Sequence, residues 1–309
     1  MTDFSKSTVA VTGGTGFIGS HLVERLRNLG ASVIVIDSLE YGNNLPEVGP
    51  KIKFCKFKLG VDKSDNLRDL LRGADIVFHL AAQKHQHLER ERASNLNVIG
   101  TEHLLQAADA VGVKKIVFTS SLYAYGRMGG PSMTETELPK PTTLYGISKL
   151  QCEHACYRMS VRSRIPIVVL RLFFTYGPRY SAAYPSVITK NFERMLRGKY
   201  PVIHGDGMQV LDYSYVGDVV DSILLASTYD KFGIFNVGTG LPLNIQNLIY
   251  YMQQVAEANL GYESAPADWT AGSRRVADMT KFYDQFGKLI PTPLEVGLQR
   301  TYDWMKSNA

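Results

Sequence analysis

Val11-Thr12-Gly13-Gly14-Thr15-Gly16-Phe17-Ile18-Gly19 decides the fold. It follows an apolar run of strand length at residues 9–12 and opens an amphipathic stretch at 18–29, closed by Gly30. A strand, a glycine turn and a helix in that order make a phosphate cradle. Gly13 permits the tight turn, Gly16 lets the backbone approach a pyrophosphate, and Gly19 lets the helix pack against the sheet. The helix N-terminus then presents N–H groups and partial positive charge to the phosphates. Asp37 ends the next apolar run, at residues 32–36. A carboxylate there accepts hydrogen bonds from a ribose diol and repels a 2′-phosphate, and no Arg stands beside it, so NAD is favoured over NADP.

Outward from this turn, apolar runs at residues 52–57, 76–80, 115–119 and 167–172 read as further strands. Helical stretches at 66–72, 97–111 and from about residue 145 alternate with them. This alternation predicts a Rossmann-type α/β fold, a doubly wound parallel sheet covered on both faces. Past residue 175 the pattern loosens into helices at 187–197, 216–228 and 245–258, with short strands and Gly/Pro turns between them. The expected organisation is an NAD-binding domain over residues 1–174 and a smaller α/β substrate lobe over 175–309. Part of 215–240 is expected to return to the first domain.

The second decisive stretch is Tyr145-Gly146-Ile147-Ser148-Lys149. A free tyrosine titrates near about 10 and is a poor base at neutral pH. A lysine four residues on lies on the same helix face, and its charge stabilises the phenolate. Lowering such a pKa by about three units corresponds to about 4 kcal/mol of differential stabilisation. Tyr145 can then exchange a substrate hydroxyl proton while hydride moves between carbon and nicotinamide. Thr119-Ser120-Ser121 ends the preceding strand at the carboxyl edge, where α/β sheets place their ligands, and a hydroxyl there can hold the reacting oxygen.

Composition excludes several classes. The chain has 309 residues, 20% of them charged, with 34 Lys and Arg against 29 Asp and Glu. That excess is too small and dispersed to argue for nucleic acid. Lys51, Lys53, Lys56 and Lys58 alternate at strand spacing and read as the solvated face of an edge strand. Three cysteines make no disulfide framework, and a cytoplasmic location is expected. Met1 to Ser7 is polar, which argues against a signal peptide. The apolar stretch at 165–174 is too short to span a bilayer and contains Arg171. No metal is expected: Cys152 and Cys156 share a helix face that His154 leaves, and His85 and His87 have no partner at ligand spacing.

These residues, taken together, resemble the extended short-chain dehydrogenase/reductases, in the branch of NAD-dependent sugar-nucleotide epimerases and dehydratases. The likeness runs almost end to end. It includes the glycine turn, Asp37, His79-Leu80-Ala81-Ala82, Asn97-Val98-Ile99-Gly100-Thr101, Ser120-Ser121 before Tyr125-Gly126, and Tyr145 with Lys149. Farther on it takes in Tyr176-Gly177-Pro178-Arg179, Gly205-Asp206-Gly207, Tyr215-Val216-Gly217-Asp218 and Phe235-Asn236-Val237-Gly238. The resemblance implies Ser121, Tyr145 and Lys149 as catalytic residues. It implies that NAD is held by Gly13, Gly16, Phe17, Ile18, Gly19, Asp37, Ser38, Leu80, Ala81, Ala82, Lys84, Asn97 and Thr119, together with Tyr145 and Lys149. For substrate it implies Lys84, Ser121, Leu122, Tyr123, Tyr145, Phe174, Arg179, His204, Leu211 and Arg274. It also implies a homodimer formed through the helices after Asn97 and around Tyr145.

Departures from the family pattern narrow the activity. The 4,6-dehydratases carry Asp-Glu directly after the catalytic Thr, and the decarboxylases keep the Glu; here those positions are Leu122 and Tyr123. Neither side chain is a carboxylic acid, so the Asp-Glu pair that protonates and removes water has no counterpart here. Family members grip the diphosphate with an Asn and an Arg where this chain has Phe174 and Leu211, and the position of their third contact, a second Arg, falls close to Asp268-Trp269 here. Two lost charge-assisted contacts of about 1.5–3 kcal/mol each must be replaced for a diphosphate to bind; Arg179, Lys190, Arg274 and Arg275 are candidates. His204 stands where an aromatic can stack on a base. The leading expectation is a sugar-nucleotide epimerase, acting at C4 by transient oxidation to a keto-sugar and re-reduction. The alternative is a net NAD-dependent dehydrogenase or reductase acting on a nucleotide sugar or on another hydroxyl or keto substrate lacking the usual diphosphate. A catalytically silent NAD-binding protein has no use for the intact Ser121, Tyr145 and Lys149.

Overall fold

A computed structural model describes residues 3–45, 49–83, 90–126, 130–180, 185–268, 270 and 272–308. The chain divides into two units, the first made of residues 1–127, 135–172 and 220–235, the second of 128–134, 173–219 and 236–309.

The first unit begins β1 (Thr8–Thr12), α1 (Phe17–Asn28), β2 (Ser32–Asp37), β3 (Ile52–Lys56) and α2 (Ser64–Leu71). It continues β4 (Ile76–His79), α3 (Arg90–Ala110), β5 (Lys115–Ser121), α4 (Leu144–Ser163) and β6 (Ile167–Leu172). With the strand Gly233–Val237 beyond β6, the seven-stranded sheet runs β6-β5-β4-β1-β2-β3. This is the doubly wound order, reversing between β1 and β4. Strand β3, with its lysines, is the sheet edge, and Lys58 pairs with Glu40. Strands β4, β5 and β6 are buried along their whole length, as a parallel sheet covered on both faces requires.

The reversal brings the ends of β1 and β4 side by side, with Thr12 registered to His79. Gly13 has φ +71, and a Cβ there would lie 2.7 Å from Ala81 N; both the left-handed backbone and the close approach demand glycine. Below this point His79, 2% exposed, spans two threonines. Thr101 Oγ1 donates to the Asn97 carbonyl at 2.8 Å, so it accepts from His79 Nε2–H at 3.0 Å. Nδ1 then accepts from Thr12 Oγ1 at 2.7 Å, and Thr12 Oγ1 accepts from Ala81 N–H at 3.3 Å. This chain of donors assigns a neutral imidazole. Burial, then the charge of Lys149, push its pKa down to about 3.

In the second unit, Phe174–Tyr176 pairs with Tyr213–Tyr215, and Val210–Leu211 lies between Leu243–Asn244 and Arg274–Arg275. An apolar cluster of Ile188, Phe192, Ile203, Leu211, Leu248 and Leu298 forms part of its core. Asp212 is fully buried and accepts from Thr239 N–H and Oγ1, Gly240 N–H and Ala277 N–H. Burial raises its pKa against those donors.

Element bounds differ from the sequence expectation mostly by one to three residues at helix and strand ends, where frayed turns are ambiguous. Helix α3 is the exception, starting at Arg90 rather than residue 97; Arg90-Glu91-Arg92-Ala93-Ser94 carries no apolar period, only helix-favouring side chains. Helices Thr280–Phe286 and Leu294–Ser307 were absent from the sequence expectation. No helix among the described residues is long and apolar enough to cross a membrane.

The buried neutral imidazole links stability to pH. The unfolded chain binds a proton at His79 below the ordinary 6.5, and the folded chain only near 3. Its contribution is therefore complete above 6.5 and is lost as pH falls toward 3. Urea midpoints measured across this range are expected to fall more steeply for the wild type than for His79→Gln. Parallel slopes would show that His79 is not the linked group.

Candidate active site

The glycine turn is built as its sequence predicts. Gly16 is the N-cap of α1, no side chain caps the helix, and its first turn holds no acidic residue. A Cβ on Gly19 would collide with the Gly13 carbonyl. Phe17 and Ile18, both half-buried, begin the helix. Asp37 Oδ2 accepts from Thr15 N–H at 3.0 Å and Oδ1 from Leu39 N–H at 2.9 Å. The carboxylate that would meet a ribose is thus fixed to the phosphate turn, and four lone-pair sites leave it capacity for a diol. Ser38 Oγ donates to Glu40, 3.4 Å away. These residues fit a dinucleotide: an uncapped helix end, glycines where side chains would collide, and a carboxylate at the end of β2.

Leu80, Ala81 and Ala82 follow β4, with Leu80 N–H on the Thr12 carbonyl at 3.1 Å. Asn97 uses its side chain on the next residue, accepting from Gln83 N–H at 2.7 Å and donating to its carbonyl at 2.9 Å. It also donates to Ser148 Oγ at 3.3 Å. Asn97 thereby ties the chain leaving β4 to helix α4. Lys84, His85, His87, Arg127 and Trp269 lie outside the described residues.

Helix α4 carries Tyr145 and Lys149, the pair that sequence analysis singled out. Its N-cap Thr143 accepts from Gly146 N–H. Glycine is needed at 146 because a Cβ would collide with the Tyr123 carbonyl. Half-buried Tyr145 meets the ring of Tyr123 edge-on, centroids 5.7 Å apart at 78°. Tyr123 N–H donates to Ser121 Oγ at 3.3 Å, so one residue touches both Ser121 and Tyr145. Lys149 is 3% exposed. Its Nζ donates to the Thr119 carbonyl at 2.8 Å and lies 5.8 Å from the Tyr145 ring centroid. Burial draws its pKa down to about 8, against the raising effect of Cys152 and Glu153. Thr119 Oγ1 donates to the His79 carbonyl. Leu122 is buried in a short 3₁₀ turn. The structure thus gathers Ser121, Tyr123, Tyr145, Lys149 and Thr119 at the carboxyl end of β5.

In the second unit, half-buried Phe174 packs on Tyr213, centroids 5.9 Å apart. Leu211 is 3% exposed, registered to Leu243 and Arg275. Neither can grip a phosphate. Arg275 is buried beside Leu211, whereas exposed Arg274 donates to the Pro131 carbonyl at 2.6 Å. Arg179 is held at φ 63. Exposed His204 has its Nδ1 3.1 Å from the Pro266 carbonyl. On α4, Cys152 and Cys156 are buried and His154 is exposed; no group of three metal-ligating side chains occurs among the described residues.

Sequence reasoning gave no role to Glu153 and placed Ser120 only in the hydroxyl run that ends β5. Arg171 binds Glu153 through Nε–Oε1 at 3.0 Å and Nη2–Oε2 at 2.7 Å, and Ser120 Oγ donates to Oε1 at 2.5 Å. The signal was present: an arginine inside an apolar strand needs a buried partner, and Glu153 lies one helical turn past Lys149.

The model of the NAD dependent epimerase/dehydratase family matches residues 9–238. The UDP-N-acetylglucosamine 4-epimerase of Methanobrevibacter ruminantium, solved with UDP-N-acetylmuramic acid, superposes with a TM-score of 0.93 at 29% identity, covering 100% of both chains. The UDP-glucose 4-epimerase of Thermotoga maritima, solved with UDP-glucose, gives 0.90 at 32% identity over 97% of this chain and 99% of that one. The dTDP-D-glucose 4,6-dehydratase of Homo sapiens is 31% identical over 97% of this chain and 90% of its own length.

Asp37→Ala is expected to weaken NADH binding about 10- to 100-fold, the equivalent of about 1.5–3 kcal/mol, and to narrow the gap to NADPH. Fluorescence titration of both cofactors reads this. An unchanged NADH/NADPH ratio would remove Asp37 as the ribose ligand.

Proposed function

The chain belongs to the NAD dependent epimerase/dehydratase family, its cofactor is NAD, and from that premise we propose that it is a nucleotide-sugar 4-epimerase. The observation that carries this reading is the pairing of an intact Tyr145–Lys149 face with Leu122 and Tyr123. Acid–base equipment for alcohol oxidation is present, while carboxyl groups for removing water are missing from the two positions after Ser121. Similarity to two 4-epimerases supports the choice, and similarity to a 4,6-dehydratase leaves it to those two side chains.

NAD, when bound, supplies the capacity to take a hydride from the sugar carbon and return it. The glycine turn, Asp37, Ser38, residues 80–82, Lys84, Asn97, Thr119, Tyr145 and Lys149 are the residues we assign to holding it. Ser121 Oγ holds the C4 hydroxyl, and Tyr145 removes its proton as the carbon is oxidised. Lys149, charged and buried, stabilises the phenolate. The keto-sugar then presents its other face, and Tyr145 returns the proton. A second reading is a net dehydrogenase or reductase acting on a nucleotide sugar or on another hydroxyl or keto substrate without the diphosphate; Phe174 and Leu211, both packed apolar side chains, support it. Under the first reading, Arg179, Lys190, Arg274 or Arg275 takes over the diphosphate. We also assign a homodimer to α3 and α4, whose Ile99, Leu144, Ile147, Tyr157 and Val161 are all exposed.

Tyr145→Phe is expected to lower turnover by at least about 100-fold and keep NAD bound; near-normal turnover would end the mechanism. Turnover of the wild type is expected to decline as pH rises through about 8, where Lys149 loses its charge. Substrate class is read by the melting temperature of the NAD-loaded protein with UDP, GDP, dTDP, CDP and ADP. Ligand at 100 times its Kd adds about 2.7 kcal/mol. A rise with one nucleotide, and sugar interconversion without net NADH, support the epimerase. No rise with any, or stoichiometric NADH, transfers the assignment to the second reading.

A further inference from the structure

Ser120 on β5 and Arg171 on β6 are registered neighbours, so both side chains leave the sheet on the same face. Both converge on the carboxylate of Glu153 from α4, which is 2% exposed. The Arg171 guanidinium also lies 4.4 Å from the ring centroid of Tyr125. Glu153 follows Lys149 by four residues and Tyr145 by eight, all in one helix. Three successive residues of β5 are thus engaged with the site: Thr119 accepts from Lys149, Ser120 donates to Glu153, and Ser121 is the hydroxyl assigned to substrate.

The groups that act on Lys149 can be named element by element. Helix α4 contributes Tyr145, Cys152, Glu153 and Cys156; β4 contributes His79; β5 contributes the Thr119 carbonyl and the Phe118 ring; β6 contributes Arg171 through Glu153. Burial keeps both thiols protonated and His79 neutral. Of these groups, Glu153 is the one carboxylate.

We infer that Glu153 is a positioning residue for the reaction. Through Ser120 and Arg171 it holds the Tyr145–Lys149 face of α4 in register with Ser121, and it sets a buried carboxylate one helical turn beyond Lys149. The inference rests on the roles assigned above to Tyr145 and Lys149. A buried ion pair that served only to staple α4 to the sheet would change stability and nothing else.

The test compares Glu153→Gln, Glu153→Asp and Ser120→Ala in the NAD-loaded protein. The Tyr145–Lys149 pair is titrated by phenolate ultraviolet absorbance, taking the difference from the same variant carrying Tyr145→Phe. Removing a buried negative charge makes every deprotonation of the pair easier. Both steps in Glu153→Gln are therefore expected to move to lower pH, by roughly one unit. Glu153→Asp keeps the charge and is expected to leave the titration in place while lowering kcat. Ser120→Ala removes one small tether and is expected to lower kcat about 10-fold, with KM and the titration unchanged. An unmoved titration in Glu153→Gln, or an equal movement in Glu153→Asp, overturns the inference. If Glu153→Gln does not fold, wild-type kcat in Ser120→Ala overturns it. Should the wild type turn over no nucleotide sugar, the epimerase reading fails, and the titration still decides the role of Glu153.

Discussion

A neutral imidazole in the middle of the sheet is the constraint on which the site of the first unit depends. His79 joins Thr12 of β1 to Thr101 of α3, and its carbonyl accepts Thr119 Oγ1 from β5. Three strands and a helix are therefore aligned through one side chain in the sheet and its own backbone. A charged imidazole would have two donors and no acceptor for Thr12, so the arrangement works only where burial keeps the ring neutral. From that centre the order passes outward. Thr12 receives Ala81 N–H beside the glycine turn; Asn97, one turn before Thr101, grips Gln83 and reaches Ser148.

Helix α4 is organised by the same opposition of burial and charge. Its inward face carries Lys149 and Glu153, each about 3% exposed or less, where an unpaired charge costs several kcal/mol. Arg171 and Ser120 satisfy Glu153 with three hydrogen bonds. Lys149 receives the Thr119 carbonyl and the face of Phe118, 4.8 Å away. The lysine is thus satisfied by weaker partners than the glutamate.

What was legible in the sequence was local. The glycine turn, Asp37 and the Tyr145–Lys149 spacing each announce themselves within one strand, turn or helix, and the alternation of β4, β5 and β6 with helices gave the parallel sheet. What was not legible was pairing at a distance. Arg171 was visible as a charge within an apolar strand, but its partner is 18 residues away in sequence on another element. Strands of two or three residues, such as Val210–Leu211 and Arg274–Arg275, are too short to show a period, so the sheet that sets Leu211 beside Arg275 left no trace in the pattern. The early start of α3 was hidden because residues 90–94 carry no apolar period to mark a helix face.

Phe174 and Leu211 are not two independent losses. Asp212 points into a cage of four donors from Thr239, Gly240 and Ala277, and strand alternation turns Leu211 the opposite way, into the cluster with Ile203 and Leu248. Tyr213, two residues on, shares that cluster and receives Phe174. Position 174, position 211 and the ring of Tyr213 therefore belong to one apolar surface. Placing an arginine at 211 alone would put a charge among aliphatic side chains, where desolvation exceeds what one anion contact returns. Arg275, buried and with its backbone registered to Leu211, already brings one charged residue to the same short sheet.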